Sequence, residues 1–329
     1  MSLPDFFVAG VPKAGTTALH SALARHPGLF MSAVKEPKFF LTDGPPPAEG
    51  GPGDAKTYRE HVWRRDEYEA LFAAAPRGAL RGESTPFYLF RSDAQERIRA
   101  LIPQARLIVV LRDPIERAHS NWTHLWSAGL DPCGDFLSAC DLEQERAEAG
   151  WADFWRYTAL GRYGEQLQHL YTLFPPEQVL VFRYRRLIVD PVSTLDAVCR
   201  FLGVATGVIG EVPRENVTAH PAPSARHRLV SAARRVGAAA SAVLPGQVGT
   251  GLNDGLEHLL QADASPRRPL TWEQREALIP RFATDVRLLE ATTGEDFGDW
   301  LEPRGESGGL VGARPPGQRQ ARNGQPRQF

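Results

Sequence analysis

The chain has 329 residues, 42% hydrophobic and 23% charged, the balance of an ordinary globular protein with one large domain or two small ones. Its 38 basic and 39 acidic side chains nearly cancel, which excludes a chain-wide field for nucleic acid and leaves room only for a local basic patch. Three scattered cysteines (Cys133, Cys140 and Cys199) form neither a disulfide framework nor a zinc pattern. No stretch nears the roughly 18–20 apolar residues of a membrane span. Residues 6–9 are too short an apolar run for a signal sequence, so the expected compartment is the cytoplasm.

In chain order, residues 6–9 read as a short apolar strand. Gly10 and Gly15 follow at phosphate-loop spacing, and Thr16-Thr17 open a helix whose Leu19, Ala22 and Leu23 share one face and which stops near His26-Pro27. Residues 42–54 are rich in proline and glycine and are expected as a surface loop. Residues 106–111 form a β-branched run suited to a central parallel strand. Asp113 is placed as a helix N-cap, Pro114 at the first helical position, and Glu116 as the reciprocal partner of a capping box. The helix puts Ile115, Ala118, Trp122, Leu125 and Trp126 on one face and Arg117, Ser120, Asn121 and His124 on the other. A helix over about 161–174 leads to a strand at 179–182, and Asp190-Pro191 caps a further helix that Gly203 ends. The last helix is expected over about 272–292, and residues 304–329 are expected to be disordered. The order strand, glycine loop, helix, strand predicts an α/β fold. It takes the form of one domain over residues 1–303, with a P-loop-like parallel sheet and helices on both faces.

The first glycine turn aims backbone N–H groups and a helix N-terminus at one spot, which favours an anion. Lys13 adds a point charge there, and Thr16 and Thr17 add hydroxyl donors. The spacing departs from a nucleoside-triphosphatase loop, where lysine follows the last glycine. A plain tight turn between strand and helix is the alternative.

Residues 11–19, Val-Pro-Lys-Ala-Gly-Thr-Thr-Ala-Leu, resemble the 5′-phosphosulfate loop of sulfotransferases that use 3′-phosphoadenylyl sulfate (PAPS). Residues 111–120, Leu-Arg-Asp-Pro-Ile-Glu-Arg-Ala-His-Ser, resemble that family's 3′-phosphate segment. The resemblance implies PAPS as sulfuryl donor, held by Lys13, Ala14, Gly15, Thr16, Thr17, Arg112 and Ser120, with no metal required. Read alone, Arg112 would pair locally with Asp113 or Glu116, and Ser120 would be a solvated helix residue.

Residues 35–40, Lys-Glu-Pro-Lys-Phe-Phe, resemble the segment carrying the catalytic glutamate in the heparan-sulfate and bacterial carbohydrate branch. The resemblance makes Glu36 the base that accepts the hydroxyl proton and Lys13 the cation at the leaving phosphate. An exposed charged turn at Pro37 is the alternative. Residues 82–88 resemble the acceptor-cleft segment, so Glu83 and Tyr88 are candidate substrate contacts. Ser84 stands where many relatives have lysine, and Lys35 or Lys38 is expected to supply that cation. Tyr88 reads equally well as a strand residue. Arg226 lies where relatives close over the nucleotide. Trp122, Trp126, Trp151 and Trp155 read first as core and second as an apolar acceptor wall.

The expected activity is transfer of a sulfuryl group to a hydroxyl of a sugar, glycoconjugate or small metabolite. A kinase or nucleoside triphosphatase is the competing reading. It needs a magnesium-binding carboxylate at the end of the second strand and a Gly-Lys-Ser/Thr loop. A third is a non-catalytic nucleotide-binding protein of the same fold. Neither nucleic acid nor a membrane span is expected among its partners.

Overall fold

The computed structural model describes residues 2–41, 44, 47, 50–210, 220–221, 264–265 and 269–303. Arg226 and residues 304–329 lie outside them, as do parts of the loop at 42–54. Five strands make one parallel sheet: β1 (Phe6–Gly10), β2 (Leu29–Met31), β3 (Leu80–Ser84), β4 (Arg106–Leu111) and β5 (Val179–Arg183). Their order is β2-β3-β1-β4-β5, and every neighbouring pair is parallel. β1 has a partner on each side and every one of its residues is buried, which is why it is uniformly apolar rather than alternating.

β2 and β3 escape the pattern search. β2 is three residues long, and β3 reads Leu-Arg-Gly-Glu-Ser, which has no apolar run. Its pairing depends on Gly82 standing beside Phe6, where an added Cβ would come within 2.2 Å of the Phe6 ring. Glycine is what lets β3 lie against β1.

Helices connect and flank the strands. α1 (Thr16–Leu23), α2 (Asp54–Arg59), α3 (Arg65–Ala70) and α4 (Ser92–Leu101) occupy the first third. α5 (Pro114–Ser127), α6 (Phe136–Asp141), α7 (Glu143–Glu148) and α8 (Tyr163–Leu173) follow β4. α9 (Tyr184–Val189), α10 (Pro191–Leu202) and α11 (Trp272–Thr293) complete the described helices. Residues 220–221 and 264–265 pair as β6 (His220–Pro221) and β7 (Ala264–Ser265), antiparallel.

α5 departs from the sequence reading in two ways. Asp113 does cap it, accepting from the N–H groups of Ile115 at 3.0 Å and Glu116 at 3.1 Å. Glu116 does not close a capping box; its carboxylate stands 3.5 Å from the Arg112 guanidinium. The expected polar face is also largely buried. Arg117 and Asn121 are fully enclosed, donating to the carbonyls of Tyr157 and Phe154. Polar residues on that face therefore mark backbone carbonyls of the segment 154–157 rather than water. Trp122 and Trp155 belong to the core, while Trp126 and Trp151 are half-buried.

Candidate functional site

All five strands run the same way, so the segments that follow them meet along one carboxyl edge of the sheet, the usual ligand side of open α/β sheets. After β1 the chain turns through Lys13 (φ 69°) and Gly15 (φ 78°) into α1. Glycine at 15 answers two demands. Its backbone is left-handed, and an added Cβ would lie 2.5 Å from the Tyr184 ring. Gly15 puts no side chain over the first turn of α1, so the N–H groups there stay open to an anion. Thr16 is buried, with Thr17 half-buried beside it, and Ala14 packs in the core.

Arg112 leaves the end of β4 beside this loop. Its Nη1 donates to the Lys13 carbonyl at 3.0 Å and its guanidinium lies 5.4 Å from the centre of the Tyr184 ring. Tyr163 donates to the Arg112 carbonyl at 2.9 Å, fixing the backbone from below. The Nε of Arg112 is buried without a partner among the described residues. A buried guanidinium N–H with no acceptor is costly, and a phosphate oxygen would satisfy it. Local pairing with Glu116 thus uses only part of this side chain. Ser120 is half-buried on α5, and no contact places it against Arg112.

Asp113 decides between nucleotide chemistries. One carboxylate oxygen caps α5, and the other accepts from Arg275 of α11 at 2.8 Å; both residues are buried. Arg275 also donates to the Trp300 carbonyl at 2.6 Å. The carboxylate that a kinase reading needs for magnesium is therefore already committed to structure.

The segment after β2 carries Lys35, Glu36 and Lys38. Glu36 (φ 58°) and Lys38 (φ 59°) hold left-handed backbone, unusual for such residues and a sign that surrounding bonds fix the turn. Those bonds come from the end of β3 and the residue after it. The Glu36 N–H donates to the Ser84 carbonyl at 3.0 Å, and the Lys38 N–H reaches the Thr85 hydroxyl at 3.3 Å. Glu36 forms an ion pair with Lys35, and both remain about a quarter exposed. They open, with Val34, Lys38 and Glu60, on a cavity of about 420 Å³.

Glu83 lies beneath this turn, fully buried. It accepts from the hydroxyls of Tyr68, Tyr88 and Thr85, each at 2.8 Å. Burial pushes its carboxyl up to about 7 even though those three donors pull it down. The sequence placed Glu83 and Tyr88 against the acceptor. The structure corrects this, since neither is exposed, and they brace the turn from below: the Phe40 N–H approaches the Tyr88 hydroxyl at 3.5 Å. Ser84, in the position of the missing lysine, bonds His20 of α1 at 2.9 Å. Burial lowers the ammonium of Lys38, with Glu36 and Glu60 partly offsetting it. Lys38 lines the first cavity and also a second of about 170 Å³.

That second cavity is walled by Tyr58, Phe87, Trp151 and Phe154, with His61 and Arg91 at its edge. Buried Asp54 ties its two sides together, accepting from the backbone of Gly51 and Ala152 and from the Trp155 indole. Sequence reasoning did not single out Asp54, Tyr58, His61, Arg91, Tyr68 or Tyr184. Asp54 fell at the end of the stretch expected as a surface loop, whereas it is buried at the start of α2.

The sulfotransferase family profile matches residues 4–207. Human heparan sulfate glucosamine 3-O-sulfotransferase 3B1 is 32% identical over 203 residues, covering 61% of this chain and 46% of that protein. Human bifunctional heparan sulfate N-deacetylase/N-sulfotransferase 3 is 28% identical over 215 residues, or 61% of this chain and 22% of that one. The chain thus spans about half the length or less of these curated relatives. A crystal structure of a sulfotransferase from Alicyclobacillus acidocaldarius superposes with a TM-score of 0.68 at 27% identity, over 92% of this chain and 100% of that one.

Proposed function

The chain belongs to the sulfotransferase family, and from that premise we propose that it transfers the sulfuryl group of PAPS to an acceptor hydroxyl. One observation carries the reading. A phosphate-type loop, an arginine with an unsatisfied buried N–H, and a glutamate opening on a cavity all stand along one edge of one sheet.

The residues present fit the donor. Lys13, Ala14, Gly15, Thr16 and Thr17 would hold its 5′ end through the helix N-terminus, backbone N–H groups and hydroxyls. Arg112, with Ser120 further along α5, would hold the 3′-phosphate. When bound, the donor supplies an activated sulfuryl group. Glu36 takes the proton of the acceptor hydroxyl as its oxygen forms a bond to sulfur and the sulfur–oxygen bond to phosphate breaks. Lys13 meets the negative charge that grows on the departing phosphate oxygen. The ion pair with Lys35 holds the Glu36 carboxylate at the cavity until a substrate hydroxyl replaces that partner.

No metal is part of this reading, because Asp113 is spent on the α5 cap and Arg275. A reducing, cytoplasmic setting goes with it, since Cys133, Cys140 and Cys199 are all free thiols. The test is production of 3′-phosphoadenylyl phosphate (PAP) from PAPS in the presence of an acceptor mixture, by the native chain and by Glu36→Gln. Product that depends on both acceptor and Glu36 supports the reading. Nucleotide binding that is unchanged by the substitution, with no turnover in either protein, would make this a non-catalytic binder.

A further inference from the structure

We propose that the acceptor is a small, uncharged compound whose hydroxyl is carried on a flat apolar ring, and that it sits in the cavity walled by Tyr58, Phe87, Trp151 and Phe154. This rests on the sulfotransferase reading and names the substrate class for the same site.

Position is the first argument. Lys38 lines this cavity and the one that Glu36 faces, so a molecule held among the aromatic rings presents one end toward the base. Size is the second, because the space of about 170 Å³ among the aromatic walls suits a ring or two.

Charge is the third. The described residues lining the two cavities include three cations, Lys35, Lys38 and Arg91, and three carboxylates, Glu36, Glu60 and Asp153. Each cation already faces a carboxylate. Lys35 pairs with Glu36, and Arg91 pairs with Asp93 at 2.6 Å and Asp153 at 3.1 Å. Lys38 is buried and attracted by Glu36 and Glu60. Burial holds the His61 ring neutral at ordinary pH, with a value near 4. A polyanionic glycan needs a surplus of cations to replace its counterions, and the described residues of these walls supply none.

Hydrogen-bonding capacity is the fourth. Arg91 and Asp153 bond each other, and Asp54 is filled by Gly51, Ala152 and Trp155, while the buried Nδ1 of His61 has no partner among the described residues and leaves room for one hydroxyl. A sugar ring presents several hydroxyls that all need partners, whereas one hydroxyl on an aromatic body needs few. Phe87 and Phe154, which meet edge to face with centroids 5.7 Å apart, and the half-buried Trp151 offer an apolar aromatic wall for such a body.

The experiment gives the native chain PAPS with 2-naphthol, a neutral disaccharide and a sulfated heparan oligosaccharide, and measures kcat/KM for each. PAP binding is measured separately by calorimetry. The account expects 2-naphthol to be preferred by about tenfold or more, and Trp151→Ala and Phe154→Ala each to raise its KM about tenfold with PAP affinity unchanged. Trp151 also packs on Trp155. Should that variant fail to fold, Phe154→Ala and the native preference still decide. Preference for either carbohydrate, or an unchanged KM in a folded variant, overturns the aryl-hydroxyl assignment. PAP binding without turnover of 2-naphthol overturns it alone, while absence of PAP binding removes the sulfotransferase reading beneath it.

Discussion

The two halves of the site are built by different means. On the side we propose for the donor, the chain itself makes the site: Lys13 and Gly15 turn left-handed, α1 begins, and Arg112 steps off the end of β4. On the side we propose for the acceptor, buried side chains make it. Glu83 gathers three hydroxyls under the turn at Glu36, and Asp54 joins residues nearly a hundred positions apart. The donor half is a property of short segments. The other half depends on contacts between residues distant in sequence.

This difference predicts that donor-side changes damage nucleotide binding and turnover together, while acceptor-side changes separate the two. The largest expected effect is at the seam. Glu36→Gln should lower turnover by about 10²–10⁴-fold, the usual worth of a positioned base, while leaving PAP affinity nearly intact. Loss of PAP binding in that variant would place Glu36 in the structural frame of the donor half. Lys13→Ala should cost on the order of 2–4 kcal/mol in transition-state stabilisation and should weaken PAP as well. Full turnover in that variant would break the loop assignment.

Glu83 offers a subtler probe, because its carboxyl is raised from 4.5 to about 7. From about pH 4.5 to 7 the unfolded chain releases this proton while the folded chain keeps it, so stability should fall as pH rises through that window and level off above it. Glu83→Gln should remove that slope in denaturant titrations. It should also remove any limb near pH 7 from the turnover profile, if the ionised carboxylate is what holds the three hydroxyls in place. A native profile flat through pH 7 would separate Glu83 from the turn it underlies.

The sequence disclosed these halves unequally, for the same physical reason. β1, β4, β5 and the caps at Asp113 and Asp190 are local patterns, and the structure has them where periodicity and capping place them. β3 was hidden because its apolar partner is Phe6, packed where Gly82 has no side chain. The polar residues Arg117 and Asn121 of α5 looked solvated because nothing in the segment reveals the carbonyls of Tyr157 and Phe154 that they meet. Glu83 was found by resemblance but misplaced, since a buried carboxylate and a substrate contact look alike in one dimension. Tyr58 and His61 carried no signal, because their role depends on Trp151 and Phe154 lying opposite.

The most direct test of the account is whether the carboxyl edge distinguishes a nucleotide with a 3′-phosphate from one without. PAP and adenosine 5′-phosphate would be titrated calorimetrically into the native chain and into Arg112→Ala, without metal, alongside ATP with magnesium. The account predicts micromolar PAP binding and far weaker binding of adenosine 5′-phosphate, with Arg112→Ala erasing most of that difference. Equal affinity for the two nucleotides, or tight binding of magnesium ATP with no preference for the 3′-phosphate, would contradict it.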